Sequence, residues 1–306
     1  MTAIETSDLT KRFGRDLYAV DGLDLTVEDG EVFGFLGPNG AGKSTTINML
    51  LDFIRPTSGT AQVLGHDAQQ ETTTVRERIG VLPEGYDVYH RLTGRKHVAF
   101  AMRSKEVDGD PDAVLERVGI ADAADRKAGG YSKGMRQRLV LGMALVGEPD
   151  LLILDEPSSG LDPGGAREMR DIVRAEADRG ATVFFSSHVL GQVETVCDRV
   201  GIMRAGELVA EDSIDGLREA VEGGETLVIT VDAASEDDLA AVRALDGVSN
   251  AATDGGTVTV TCDADAKTAV IGALEDAGVT VKDFQTEETS LEDLFLAYTE
   301  GKEVTA

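Results

Sequence analysis

Tryptophan is absent from this chain, and aromatic residues make up only 5% of it. There are two cysteines, Cys197 and Cys262. Two thiols so far apart supply neither a disulfide framework nor metal-ligand spacing, so both read as small apolar residues of a reducing compartment. No stretch approaches the roughly 18 apolar residues that span a bilayer. Residues 1–10 carry no basic region followed by an apolar run, so no secretory leader is expected there. These absences point to a soluble chain with no direct membrane insertion, whose membrane role, if it has one, runs through a partner. Basic residues are also scarce, 29 against 56 acidic, for a net charge of -27. Residues 225–306 hold 18 acidic and 4 basic side chains, about half of that excess. A surface of that sign repels phosphate backbones and anionic headgroups, so no nucleic-acid partner is expected. It resembles the acidic surfaces of proteins from salt-loving microbes, which bears on solubility and not on activity.

What the chain does have is apolar content, 42% over 306 residues, enough for one large domain or two smaller ones. Up to about residue 215, apolar strand-like runs alternate with helical patterns, which predicts an α/β fold. VFGFL (32–36), LLIL (151–154) and TVFF (182–185) read as strands buried on both faces. Segments near 44–53, 134–146, 164–179 and 189–197 read as amphipathic helices. EDSIDGLREAVEGG (211–224) reads as a short helix and a linker, the linker proper being 216–224. From 225 to 306 the pattern changes. Strand-like 226–231, 248–253, 257–262 and 279–284 alternate with helix-like 235–245 and 265–277, an order that predicts a small ferredoxin-like α+β domain. SLEDLFLAYTEG (290–301) closes it as a helix with Ser290 as its N-cap.

GPNGAGKST (37–45) meets the G-x-x-x-x-G-K-[ST] pattern in full, between a predicted strand and a predicted helix. Gly37, Pro38, Asn39, Gly40, Ala41, Gly42, Lys43, Ser44 and Thr45 form a turn whose backbone N–H groups converge on phosphate oxygens. The helix N-terminus adds a dipole favourable to an anion. Lys43 is placed to reach the β- and γ-phosphates, and Ser44 to ligate Mg²⁺. Strand 151–154 ends in two carboxylates. Asp155 suits a metal, directly or through water, and Glu156 suits a base that orients the attacking water. ATP and Mg²⁺ are the implied substrate and cofactor.

With YSKGMRQRL (131–139) between these two motifs, the chain resembles the nucleotide-binding domain of ABC proteins. The resemblance implies a P-loop NTPase fold with a helical subdomain at about 85–145. In that family the middle segment is the signature, usually LSGGQ, whose Ser and Gly contact the γ-phosphate held by the opposite protomer. Ser132 and Gly134 match; Tyr131, Lys133 and Met135 depart, Lys133 adding a positive charge near the phosphate. SSGLD (158–162) matches the D-loop, placing Asp162 near the dimer interface. His188 matches the switch histidine that contacts the γ-phosphate. Phe13 matches the aromatic that stacks on adenine, with a buried core Phe as the competing reading. Where the family usually has Gln after a strand, this chain has Glu84, whose carboxylate still suits Mg²⁺ or its water. His66, His90 and His97 match no motif and are expected at the surface.

The tail TSLEDLFLAYTEG (289–301) is similar to the ending of ATPases of the daunorubicin-resistance and multidrug export group. In that group the ATPase is a dimer beneath separate multi-span permease subunits. The resemblance then implies a homodimer on the inner face of the cell membrane, driving export. Residues 85–100 would touch the permease, with Tyr86 and Tyr89 as candidate plugs. A soluble ABC ATPase of ribosome or DNA is the alternative. It fits less well, because the chain has one cassette and only 86 residues lie between Thr45 and Ser132, too few for a long inserted coiled coil. A low-turnover regulatory ATP-binding module is a third class, opposed by intact Lys43, Asp155, Glu156 and His188.

Overall fold

A computed structural model describes residues 2–187, 190–220, 225–287 and 295. The chain divides into two compact units, Met1–Ile214 and Asp215–Ala306. In the first, the strands are β1 (Thr2–Phe13), β2 (Leu17–Glu28), β3 (Val32–Leu36), β4 (Ser58–Val63), β5 (His66–Asp67), β6 (Ile79–Leu82), β7 (Leu151–Asp155), β8 (Thr182–Ser187), β9 (Arg199–Arg204) and β10 (Glu207–Ser213). The helices are α1 (Lys43–Leu50), α2 (Thr72–Arg78), α3 (Gly94–Ser104), α4 (Pro111–Arg117), α5 (Lys133–Ala144), α6 (Pro163–Asp178) and α7 (Leu190–Val193).

Two sheets form its core. One has the order β10-β9-β3-β8-β7-β6, parallel from β9 to β6 with β10 antiparallel at the edge. Every residue of β3, β7 and β8 is buried, which is why these strands read as continuous apolar runs instead of alternating ones. The second sheet, β2-β1-β4-β5, is antiparallel. Phe33 and Phe184 stack at 6.0 Å, inside a cluster that also takes Leu9, Val20 and Leu25 from the antiparallel sheet. The phosphate loop and the Asp155–Glu156 pair therefore leave the same edge of the parallel sheet, the place where α/β sheets gather ligands.

Helices α3, α4 and α5 pack on one another, and Val98, Met102, Leu115 and Leu139 on them are buried. His97 belongs to this group: it is 2% exposed, against the expectation of a surface histidine. Its Nε2 accepts from the Tyr89 N–H at 3.0 Å and its Nδ1 meets the Thr93 carbonyl at 2.8 Å, so both ring nitrogens are satisfied indoors. His66 is half-buried and His90 exposed.

Helix α7 is shorter than the expected 189–197. Val196 and Cys197 both turn back to the Val193 carbonyl, in a stretch where Val193, Thr195 and Val196 are β-branched. Val189 lies outside the described residues. Strand β10 takes in 211–213, and α8 (Ile214–Ala220) occupies most of the rest of that stretch, with 221–224 outside the described residues.

The second unit contains β11 (Glu225–Val231), α9 (Ala240–Arg243), β12 (Val248–Thr253), β13 (Thr257–Cys262), α10 (Lys267–Asp276) and β14 (Val281–Glu287). Its sheet order, β12-β13-β11-β14 with every neighbour antiparallel, is the ferredoxin-like arrangement. Alternate residues Leu227, Ile229 and Val231 face Val258, Val260, Val270 and Leu274 in a separate core. The helix expected over 235–245 narrows to α9, preceded by a turn over 236–239 in which Asp238 accepts from both the N–H and the hydroxyl of Ser235. Strand β14 starts two residues later than expected. Gly278, at φ 87°, and Val279 close α10 by donating to Glu275 and Leu274, and Val279 is buried against Leu274. Cys197 and Cys262 are both free thiols. The expected closing helix 290–301, apart from Phe295, lies outside the described residues.

Candidate functional site

The turn after β3 is shaped by glycines that nothing else could replace. Gly42, at φ 114°, precedes Lys43, the first residue of α1. A Cβ on it would lie 2.4 Å from the Ala19 carbonyl, and one on Gly37 would lie 2.6 Å from the Met203 carbonyl. The loop is thus pressed onto the backbones of β2 and β9. Asn39, Gly40, Ala41, Gly42, Lys43, Ser44 and Thr45 line a cleft of about 350 Å³ together with Ala19, Glu84 and Glu156.

Lys43 is buried, with Nζ donating to the Gly37 carbonyl at 2.6 Å and to Pro38 at 3.4 Å. It stands 3.9 Å from Glu156 Oε1. Burial holds its pKa below the ordinary 10.5, while the carboxylates of Glu156, Asp155 and Glu84 push the other way. Ser44 Oγ donates to Glu84 Oε2 at 3.4 Å. A hydroxyl beside a carboxylate at the mouth of a phosphate-sized cleft is a donor pair suited to Mg²⁺, whose remaining positions go to phosphate oxygens and water. Among the described residues, no three or more His, Cys, Asp or Glu side chains enclose a metal ion by themselves.

Asp155 ends β7 and is buried. The Ser186 hydroxyl, on the neighbouring strand β8, donates to Asp155 Oδ1 and accepts from the Glu156 N–H at 3.0 Å. Glu156 itself sits at φ 50°, left-handed backbone that a glutamate adopts only when its surroundings impose it. That turn swings its carboxylate off the strand direction and into the Lys43 cleft. Ser186 is a residue the sequence reading missed; its only signal is a serine pair, FFSS, ending a buried strand.

A second cavity, of about 530 Å³, is lined by Glu84, Tyr86, Lys133, Arg136, Gln137, Asp155, Glu156 and Ser159. Gln137, 1% exposed, donates its amide to the Pro157 carbonyl and so ties α5 to the strand end. A third cavity, of about 520 Å³, is lined by Ser132, Lys133, Gly134, Met135, Gly160, Leu161 and Asp162, among others. Ser132 caps α5 by accepting from the Met135 N–H at 3.2 Å, and Asp162 caps α6 by accepting from the Gly165 N–H at 2.7 Å. Ser132, Gly134 and Asp162 thus share one surface hollow and take no part in lining the Lys43 cleft of the same chain.

Phe13 is 43% exposed at the end of β1, which excludes a buried core Phe. It pairs in register with Leu17, and Ala19, on the same face of β2 two residues on, lines the Lys43 cleft. Lys11 Nζ lies 5.2 Å from its ring centroid. His188 lies outside the described residues.

Residues 20–159 match the family described as ABC transporter, and residues 213–299 match the ATP-binding protein DrrA1-3-like C-terminal domain. The daunorubicin resistance ATP-binding protein DrrA3 of Streptomyces coeruleorubidus is 36% identical over 305 residues, 97% of this chain and 96% of that protein. The bacitracin transport ATP-binding protein BcrA of Bacillus licheniformis is 41% identical over 220 residues, 71% of this chain and 72% of that protein. Among solved structures, an ATP-binding subunit of an ABC transporter superposes with a TM-score of 0.65 at 27% identity, over 71% of this chain and 92% of that one. With a phosphate loop, a buried Asp155–Glu156 strand end and a matching second unit along its length, the chain belongs to the ABC transporter family as an ATP-binding, ATP-hydrolysing subunit that carries a DrrA-like C-terminal domain.

Proposed function

We propose that the chain works as a homodimer on the inner face of the cell membrane, driving export through separate multi-span permease subunits. The gathering of Lys43, Ser44, Glu84 and Glu156 around one cleft supports this most directly. The loop amides of 37–45 and the Lys43 ammonium hold the triphosphate. Ser44, Asp155 and Glu84 hold Mg²⁺ directly or through water, and the ion, when bound, neutralises charge on the phosphate oxygens. Phe13 stacks on the adenine. Glu156 accepts a hydrogen bond from the attacking water and takes its proton as oxygen bonds to the γ-phosphorus and the bond to the β–γ bridging oxygen breaks, releasing ADP and phosphate. His188 contacts the γ-phosphate.

Ser132 and Gly134 of one chain complete the site of the other, with Asp162 at the shared interface. The supporting observation is that they sit in an exposed hollow apart from their own phosphate cleft. Exposed Tyr89 and half-buried Tyr86 supply the permease contact. Relatives named for bacitracin transport and daunorubicin resistance support export as the direction.

Glu156→Gln tests the mechanism. It keeps the hydrogen-bonding shape, removes the base, and is expected to cut ATP turnover by roughly 10²- to 10⁴-fold. ATP binding persists, and size-exclusion chromatography with ATP and Mg²⁺ then shows a trapped dimer. A variant that stays monomeric with near-normal turnover overturns the shared-site mechanism.

A further inference from the structure

The residue just before the signature serine is a tyrosine where the family has leucine, and its extra hydroxyl has a specific place. Tyr131 is 3% exposed, and its Oη donates to the Ala123 carbonyl at 2.6 Å. The same oxygen lies 2.4 Å from where a Cβ on Gly94 would stand, while the ring carbon Cζ behind it lies at 3.4 Å. Gly94 is the first residue of α3. Its bareness is therefore matched to one atom, the hydroxyl of Tyr131.

The surroundings make this contact the inner end of a continuous bridge. The chain before and within the first turn of α3 is zipped to 124–129: Arg95 N–H donates to Ala124, Ala128 N–H to Leu92, and Gly129 N–H to His90. The Arg95 guanidinium spans Asp112 and Asp125. On the outer side, buried His97 links the Thr93 carbonyl to the N–H of exposed Tyr89. On the inner side, Arg136 Nη1 donates to the Tyr131 carbonyl at 2.6 Å, and the next residue, Ser132, caps α5.

We infer that Tyr131 is a positioning residue: its hydroxyl, seated over Gly94, fixes Ser132 to the first turn of α3 and thereby to the exposed Tyr89 segment. The inference rests on the proposed role of Ser132 at the partner's nucleotide. Spatial continuity alone does not establish coupling, so the test is a double-mutant cycle on the contact itself.

Tyr131→Phe keeps the buried ring and removes only the hydroxyl. Turnover at saturating ATP is expected to fall about fivefold, the factor corresponding to one ordinary hydrogen bond. The affinity of the purified full-length chain for a fluorescent ATP analogue is expected to stay at the wild-type value, because Lys43 and its loop are untouched. Gly94→Ala sets a methyl against the hydroxyl and is expected to lower turnover further, although alanine is the better helix former. Combining the two clears the clash, since Cζ at 3.4 Å tolerates the methyl, and restores turnover to the Tyr131→Phe level. Wild-type turnover in Tyr131→Phe, a double variant no better than Gly94→Ala, or nucleotide affinity falling in step with turnover each overturns the inference. A wild-type chain that neither binds nor hydrolyses ATP overturns the proposed function instead.

Discussion

Lys43 is 6% exposed and Asp155 5%, whereas Ser132, on the signature patch, is exposed. The phosphate side is made of backbone amides, glycines pressed onto neighbouring strands, and side chains already satisfied inside the chain. The signature side is an exposed helix cap, the Ser132 side chain accepting from the Met135 N–H. A preformed half can grip a nucleotide alone; an exposed half with no triphosphate cleft of its own acts only when something is brought to it. That asymmetry is what the proposed sharing of a site between two copies calls for.

The sharpest way to break the comparison is to remove the grip. Lys43→Ala deletes the ammonium proposed to hold the triphosphate and leaves the Gly37 carbonyl without its donor. Hydrogen bonds to charged groups are worth about 1.5–3 kcal/mol each, so ATP affinity is expected to fall by on the order of 100-fold. Equilibrium binding by a fluorescent nucleotide checks this, and full affinity in the variant would refute the cradle. The signature side is expected to respond in the opposite sense. Ser132→Ala removes a cap worth about 1 kcal/mol and the hydroxyl proposed to meet the partner's γ-phosphate, so turnover is expected to drop by roughly tenfold. The binding curve of the single chain does not move. If Ser132→Ala weakens binding as much as it slows turnover, the two halves are not separate.

Much of this division was legible in the sequence, for reasons that differ by residue. GPNGAGKST is readable because its geometry is local: the glycines, the lysine and the helix start are set within nine positions of one another. Asp155 and Glu156 are readable because an apolar run long enough for a buried strand ends in two charges. Ser186 was not readable, since its place between Asp155 and Glu156 exists only once β7 and β8 pair. His97 was misjudged because the Tyr89 N–H and Thr93 carbonyl that satisfy it are backbone groups, invisible in a residue pattern. The helix expected over 235–245 comes out shorter although Asp238 accepts from the Ser235 N–H as at a helix start; the chain holds a turn over 236–239 before α9. The order of the second unit's elements was legible as far as 287, because alternation at period two survives in each short strand.

The smallest effect expected is also the one with the most distinctive sign. Burial depresses the pKa of Lys43 below 10.5 in the folded chain, so its proton leaves at lower pH than from an unfolded lysine. Between the folded pKa and 10.5 the unfolded chain holds the extra proton. Stability from this group is therefore present in full above 10.5 and lost as pH falls through the folded value. ATP reverses the preference, because a triphosphate stabilises the charged ammonium and raises its pKa. Affinity for ATP is then flat near neutrality and declines as pH rises through the depressed pKa of the free chain. The decline is a few-fold, and its slope is at most about tenfold per pH unit for one proton. Binding and denaturant unfolding, both followed from neutrality to the ordinary lysine value, should diverge: weaker ATP binding together with a small gain in the stability of the nucleotide-free chain. Parallel declines in the two would mean that general alkaline loosening, and not the buried ammonium, sets the response, and the phosphate half would lose its claim to be the preformed one.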